Sequence, residues 1–306
     1  MKSDFLFYTI MIERFLEYIA VEKRYSPHTS ISYRKDLEDF ALFLLETEAH
    51  QDFTTVDKKV VRNFMVNLTE KKLSKRSINR KLSSLRSFFL FLLKIGEIEV
   101  SPLENIPSLK FYAEKQIPFS QEEMSNHQLP EFQPKKKSLL KELIIDTLYQ
   151  TGIRKAELVN LLMENIDFSN MEIKVIGKGN KARIIPISTG LAEKMQAYLK
   201  ERDPLKEDEM YFFINAKRKK LNDKFVYSVV NSYLSLVTSK KKKSPHILRH
   251  SFATHVLERG AEISKVKKIM GHSSLASTQV YTSANIDQLK KVFNNAHPRA
   301  KKNVEL

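Results

Sequence analysis

Apolar side chains recur at a helical interval through the N-terminal third of the chain. From 8 to 23 they fall at Ile12, Phe15, Leu16 and Ile19, the rhythm of an amphipathic helix. Ser26-Pro27 breaks it, and Thr29 can cap a second helix carrying Tyr33, Leu37, Phe40, Ala41, Leu44 and Leu45 on one side. Thr55 is the expected cap of a third, with Val56, Val60, Phe64 and Leu68 inward. A fourth starts at Ser74 or Ser77 and runs through Ile78, Leu82, Leu85, Phe88, Phe89 and Leu92 to Gly96. Four amphipathic helices with short connections predict a compact helical domain over 1–97.

The rhythm then stops. Pro102, Pro107 and Pro118 punctuate 98–118 with few periodic apolar positions between them, which predicts a linker. The remainder, 119–306, reads as a second domain of mixed type. Ser120-Gln121-Glu122-Glu123 is a helix start with acidic residues in its first turn. A strongly apolar helix from Leu139 to Tyr149 ends at Thr151-Gly152, and another runs from Arg154 to Leu162. Strand character appears only at 165–168, 172–176 and 182–187, with Gly177-Lys178-Gly179-Asn180 as the turn of the last pair. Helices resume at 188–201 and 223–238, and a last one at 286–296 carries Leu289, Val292 and Phe293. The expected fold class is mainly α with a small antiparallel β-sheet.

Charge narrows the partners. Formal net charge is +16, a balance that points to a polyanion, most commonly nucleic acid. Residues 1–110 hold 18 Lys and Arg against 15 Asp and Glu, and the rest 34 against 21, so the excess lies mainly in the second domain. The fourth helix is nevertheless basic: Arg76, Arg80, Lys81 and Arg86 are interleaved with serines, a composition suited to phosphate contact. An anionic membrane is the competing partner, but the chain shows no lipidation motif. The apolar run from Phe5 to Ile12 is broken by Tyr8 and Thr9 and followed by Glu13 and Arg14, so it reads as a helix start, not a signal peptide. A soluble cytoplasmic protein is expected. Cysteine is absent, which excludes disulfides, thiolate metal sites and a thiol nucleophile.

Candidate chemistry concentrates in 244–283, where His246, Arg249, His272 and Tyr281 sit among apolar residues. His246 and Arg249 are three apart and share a helix face. His250, four from His246, has a spacing that zinc sites use, but no carboxylate cluster or cysteine accompanies it, so no metal is expected. One of these two histidines should face the site while the other packs inward; His255 reads as structural. His272 follows Gly271 at a helix junction. Earlier in the chain, Arg154 follows Gly152 directly, and with Arg249 it could make a fork-shaped cradle for a phosphate. Lys178 sits in a Gly-Lys-Gly turn that can deliver an ammonium to a leaving oxygen, with Lys181 and Arg183 on the same hairpin competing for that role or for DNA contact. A Tyr in a helix is usually core packing; a Tyr hydroxyl can also attack phosphorus.

Five motifs together resemble the tyrosine recombinase (phage integrase) family, and within it the Xer recombinases. They are Thr151-Gly152-Ile153-Arg154-Lys155-Ala156-Glu157-Leu158, Ile176-Gly177-Lys178-Gly179-Asn180-Lys181, His246-Ile247-Leu248-Arg249-His250-Ser251-Phe252-Ala253-Thr254-His255, Met270-Gly271-His272-Ser273, and Tyr281. His297-Pro298-Arg299-Ala300 is Xer-like, and the helical first part is similar to the family's core-binding domain. One departure is Lys155-Ala156, which replaces a hydroxyl-containing context after the first Arg.

The resemblance implies an N-terminal core-binding domain, a catalytic domain, and DNA cleavage through a 3′-phosphotyrosyl link. Tyr281 would be the nucleophile, Arg154, Arg249 and His272 would stabilise the transition state, Lys178 would be the general acid, and His246 would assist proton transfer. It implies no metal or other cofactor. The partners it implies are duplex DNA with inverted repeats, three further protomers, identical or related, docked through the C-terminal helix in a Holliday-junction complex, and a DNA translocase for an Xer-type role in dimer resolution. A mobile-element integrase or transposase, a type IB topoisomerase-like enzyme, and a non-catalytic DNA-binding accessory protein are the other readings.

Overall fold

The computed structural model describes residues 2–47, 52–112, 117–125, 138–177, 181–202, 210–271 and 296. The chain divides into two compact units, Met1–Glu114 and Lys115–Leu306.

The first unit is built of α1 (Lys2–Val21), α2 (Pro27–Thr47), α3 (Lys58–Glu70) and α4 (Lys75–Lys94). The periodic apolar positions turn inward, and Phe15, Phe40, Phe53, Phe64, Phe88 and Phe89 are fully buried. Several of their rings pack edge-on, Phe53 to Phe88 at 4.7 Å and Phe40 to Phe64 at 4.9 Å between centroids, an arrangement the ring quadrupole favours. Two caps differ from expectation. Ser26, not Thr29, starts α2: its hydroxyl accepts from the Thr29 amide at 3.3 Å, and Pro27 takes the first helical position, where no N–H is needed. Asp57, not Thr55, caps α3, accepting from Val60 N at 2.9 Å, while Thr55 is spent on Asp52. A charged acceptor at the helix N-terminus outcompetes a hydroxyl. Ser74 caps α4.

Part of the segment expected as linker is packed onto this unit. Leu103 and Ile106 are buried in its core, and the Asn79 side chain exchanges two 2.8 Å hydrogen bonds with the Leu109 backbone. Prolines fix the turns of this stretch without keeping its apolar residues out of the core.

The second unit opens with α5 (Gln121–Ser125), whose start is a reciprocal capping box between Ser120 and Glu123. It continues through α6 (Leu139–Thr151), α7 (Lys155–Val159) and a 3-10 turn at Met163–Asn165. Next come β1 (Ile166–Asp167), β2 (Glu172–Ile176) and β3 (Ala182–Pro186), then α8 (Thr189–Glu201), α9 (Asp223–Val237), α10 (Pro245–Glu258) and α11 (Ile263–Met270). The strands form one antiparallel sheet in the order β1-β2-β3, with Val175 opposite Arg183. α6 is buried along most of its length and packs against α8, α9 and α10. α7 is shorter than its apolar pattern predicts. Arg154 caps it from outside, and beyond Asn160 the chain leaves the helix, so that Leu162 bridges to Tyr211. The architecture is mainly helical with a small antiparallel sheet. Among the described residues no helix is long and apolar enough to cross a membrane. The expected helix at 286–296 lies outside the described residues apart from Ala296.

Candidate active site

Two glycines make the backbone of the site. Gly152 ends α6 in the left-handed conformation, φ 61°, with its N–H returning to Leu148 O. A Cβ there would stand 2.4 Å from the Phe252 ring, so a side chain is excluded both by φ and by space. Gly271 ends α11 in the same way, φ 63°, and a Cβ there would press on the Arg183 guanidinium at 3.1 Å.

From Gly152 the chain buries Ile153 and presents Arg154 in extended conformation at the start of α7. Glu157 folds back onto it: Oε2 accepts from the Arg154 amide at 2.7 Å and Oε1 from the Arg154 guanidinium at 2.9 Å. The same carboxylate takes both terminal nitrogens of Arg183 on β3, at 2.8 and 2.7 Å. Glu157 and Arg183 are each about 4% exposed in their side chains. Burial opposes the charge of Glu157, but the hydrogen bonds and charge of Arg183, then those of Arg154, outweigh it and hold its pKa below the ordinary carboxylate value.

Arg249 arrives from α10. Ser244 and Pro245 start that helix, and Ile247, Leu248 and Phe252 anchor it in the core. The Arg249 guanidinium donates to the carbonyls of Gly152 and Met270. Burial, with the neighbouring cations Arg154 and Arg183, lowers its pKa to about 10, which leaves it charged at neutral pH. The C-terminal end of α11 therefore collects three arginines: Arg183 Nε donates to Ile269 O at 2.5 Å, Arg249 to Met270 O, and Arg154 Nη2 to Gly271 O at 3.2 Å. These are carbonyls that a helix end leaves without partners, at the negative end of its dipole.

Arg154, His246 and Arg249 line one cleft of about 340 Å³, together with Lys155, Ala156, Tyr227, Ser244 and Pro245. Lys178, His272 and Tyr281 lie outside the described residues. His246 and His250 are both exposed, whereas one of them was expected to pack inward. Residues four apart share a helix face, so α10 cannot divide them between core and surface. The inward position is taken by His255, whose Nδ1 meets the Tyr149 hydroxyl at 2.8 Å and whose pKa burial pushes down. Among the described residues no group of three or more His, Cys, Asp or Glu could hold a metal ion.

The basic residues expected at DNA fall into two groups. Arg76 and Lys181 are exposed. The others have internal partners. Arg80 pairs bidentately with the fully buried Asp36 at 2.5 and 2.8 Å, and Lys81 is buried between Asp36 and Asp39. Arg86 donates to Ile106 O at 2.8 Å. Arg183 is the clearest departure: it is a buried strut of the site. Its side chain and that of Val175 opposite both face the interior, where a guanidinium needs a carboxylate. Sequence reasoning passed over Glu157 as a functional residue, although its place three after Arg154 fits a capping box. Lys155 and Tyr227 were likewise not read as lining the site, and Tyr227 carries no local signal.

A model of the phage integrase family matches residues 114–288, and one of the phage integrase N-terminal SAM-like domain matches 12–96. A protein called tyrosine recombinase XerC from Oceanobacillus iheyensis is 37% identical over 303 residues, covering 96% of this chain and 98% of that one. Another of that name from Staphylococcus saprophyticus is 36% identical over 293 residues, covering 95% and 98%. In fold, the chain is similar to a lambda integrase dimer bound to a COC′ core site, with a TM-score of 0.67 and 14% identity over 89% of this chain and 99% of that one.

The buried pair has a pH signature. Because the folded-state pKa of Glu157 is depressed, its contribution to stability is present above the ordinary carboxylate pKa and is lost as pH falls through the lower folded value. Glu157→Gln is expected to destabilise the protein by about 3–5 kcal/mol at neutral pH, since Arg183 is left buried without its charge partner. The deficit relative to wild type should shrink as pH drops below the usual carboxylate range. Denaturant unfolding of both proteins at several pH values checks this, and a deficit constant with pH would contradict it.

Proposed function

The chain belongs to the phage integrase family of tyrosine recombinases, and on that premise we propose that it cuts and rejoins duplex DNA at a specific site through a 3′-phosphotyrosyl intermediate. The observation that carries this reading is the cleft on which Arg154, Arg249 and His246 meet. Attack on a phosphodiester builds negative charge on the non-bridging oxygens as phosphorus becomes pentavalent. Two fixed guanidinium groups favour that charge distribution over the ground state.

In this reading the Tyr281 oxygen bonds to phosphorus and the bond to the 5′-oxygen breaks. His246 assists removal of the tyrosine proton, and Lys178 gives a proton to the leaving oxygen. Arg154, Arg249 and His272 stabilise the transition state. Rejoining is the same sequence reversed, with a 5′-hydroxyl from the partner strand. The phosphotyrosyl bond keeps the energy of the diester, so the reaction draws on no nucleotide, metal or other cofactor. For Tyr281, Lys178 and His272 the support is their place in the sequence motifs.

Four protomers on two duplexes with inverted repeats, joined through the C-terminal helix, would exchange strands in pairs through a Holliday junction. The name shared by the relatives, tyrosine recombinase XerC, supports resolution of chromosome and plasmid dimers as the task, tied to chromosome partition at cell division, with a DNA translocase as partner. The lambda integrase dimer on its core site supports duplex DNA as the substrate.

On a nicked suicide duplex bearing its site, wild-type protein should accumulate a covalent adduct visible on a denaturing gel. Tyr281→Phe should bind the duplex and form none; an adduct that survives the change removes Tyr281 as nucleophile. Cleavage lost in Lys178→Ala should return on a 5′-bridging phosphorothiolate, whose sulfur leaves without protonation. No return on that substrate would assign proton donation to another group.

A further inference from the structure

Lys155 is a cation of the cleft that the chemistry above leaves without a task. It follows Arg154 directly, is the first residue of α7, and lines the same cleft as Arg249 and His246. Its ammonium lies 2.8 Å from Asp223 Oδ2 at the start of α9, and the two side chains are 30% and 53% exposed. Glu157, by contrast, is buried and committed to Arg154 and Arg183.

An ion pair this open to water contributes little to folding, because solvent satisfies both partners almost as well when they part. It is therefore exchangeable. A phosphate oxygen can take the ammonium from Asp223, and the carboxylate returns to water. Arg154 stands in extended conformation just outside α7 and Lys155 is its first helical residue, so the two side chains leave the backbone in different directions and would take different phosphate oxygens. The flexible stem and compact charge of Lys155 suit a contact whose position is less tightly fixed than the fork of an Arg demands.

We propose that Lys155 contacts the phosphate adjacent to the scissile one on the cleaved strand, and that Asp223 holds this ammonium in the free protein. The inference rests on the cleft being the cleavage site. Lys155 is then a substrate-gripping residue, and Asp223 sets how much of its charge the free cleft offers to DNA.

The test uses the full chain and the duplex bearing the inverted repeat that the wild-type protein protects. Lys155→Met should weaken binding and flatten the slope of log K against log salt by about 0.9, the loss of one phosphate contact. Lys155→Arg should keep the wild-type slope, which separates lost charge from misfolding. Asp223→Asn should bind severalfold tighter without a flatter slope. When single phosphates are replaced by methylphosphonates, wild type and Lys155→Met should converge in affinity at one position only, next to the cleaved bond. An unchanged slope in Lys155→Met, or a gap that persists at every neutralised phosphate, overturns the inference. Wild-type adduct formation on the same duplex is scored in parallel. An adduct with an unchanged slope defeats this inference alone, whereas absence of any adduct defeats the reading of the cleft itself.

Discussion

Three arginines from three separate parts of the chain converge on the carbonyl end of one short helix, and the geometry of the cleft depends on that convergence. α11 terminates at Gly271, and its last carbonyls accept from Arg183, Arg249 and Arg154 in turn. Three cations this close repel one another. The helix-end dipole offsets part of the repulsion, and the buried carboxylate of Glu157, shared between Arg154 and Arg183, offsets more. Such a buried pair gains little net stability over an apolar filling, but removing either member is costly. Its consequence here is register: β3, the turn after α6, and the end of α11 are locked to one another.

Those three segments adjoin, along the chain, residues proposed to carry the chemistry: Lys178 lies in sequence between β2 and β3, Arg154 follows the turn after α6, and His272 follows Gly271 at the end of α11. Arg249 is held from below by two carbonyls and stays cationic even though burial and its neighbours bring its pKa to about 10. Because a guanidinium has five N–H groups, two bonds to carbonyls leave others for a phosphate. Side chains fixed in advance in this way need little reorganisation when charge develops at phosphorus. The first unit uses a related device, with fully buried Asp36 binding Arg80, Lys81 and Ser84 on the face of α4.

The interior of the fold was legible in the sequence because periodicity reports burial directly. Phe15, Phe40, Phe64 and Phe88 lie inside as their spacing requires. Helix ends were less legible: Ser26 and Thr29, or Thr55 and Asp57, both offer oxygens, and the choice depends on backbone geometry that composition does not encode. Leu103 and Ile106 were hidden by the prolines around them. At the site, residue types and motif spacing singled out Arg154, His246 and Arg249, which line one cleft. What sequence could not supply was pairing. Arg183 looked like one more basic residue for DNA because its carboxylate lies 26 positions away, and Lys155 acquires its partner Asp223 only through the packing of α7 on α9.

The arginine pair is proposed to act on the transition state more than on binding, and Arg249→Ala tests this most directly. Single-turnover adduct formation and equilibrium affinity are measured for wild type and variant on the same nicked duplex. The expected result is a cleavage rate about 10²–10³-fold lower, the scale for losing one preorganised donor to developing charge, with affinity changed far less. Equal losses in rate and affinity would contradict the claim and leave Arg249 a phosphate anchor.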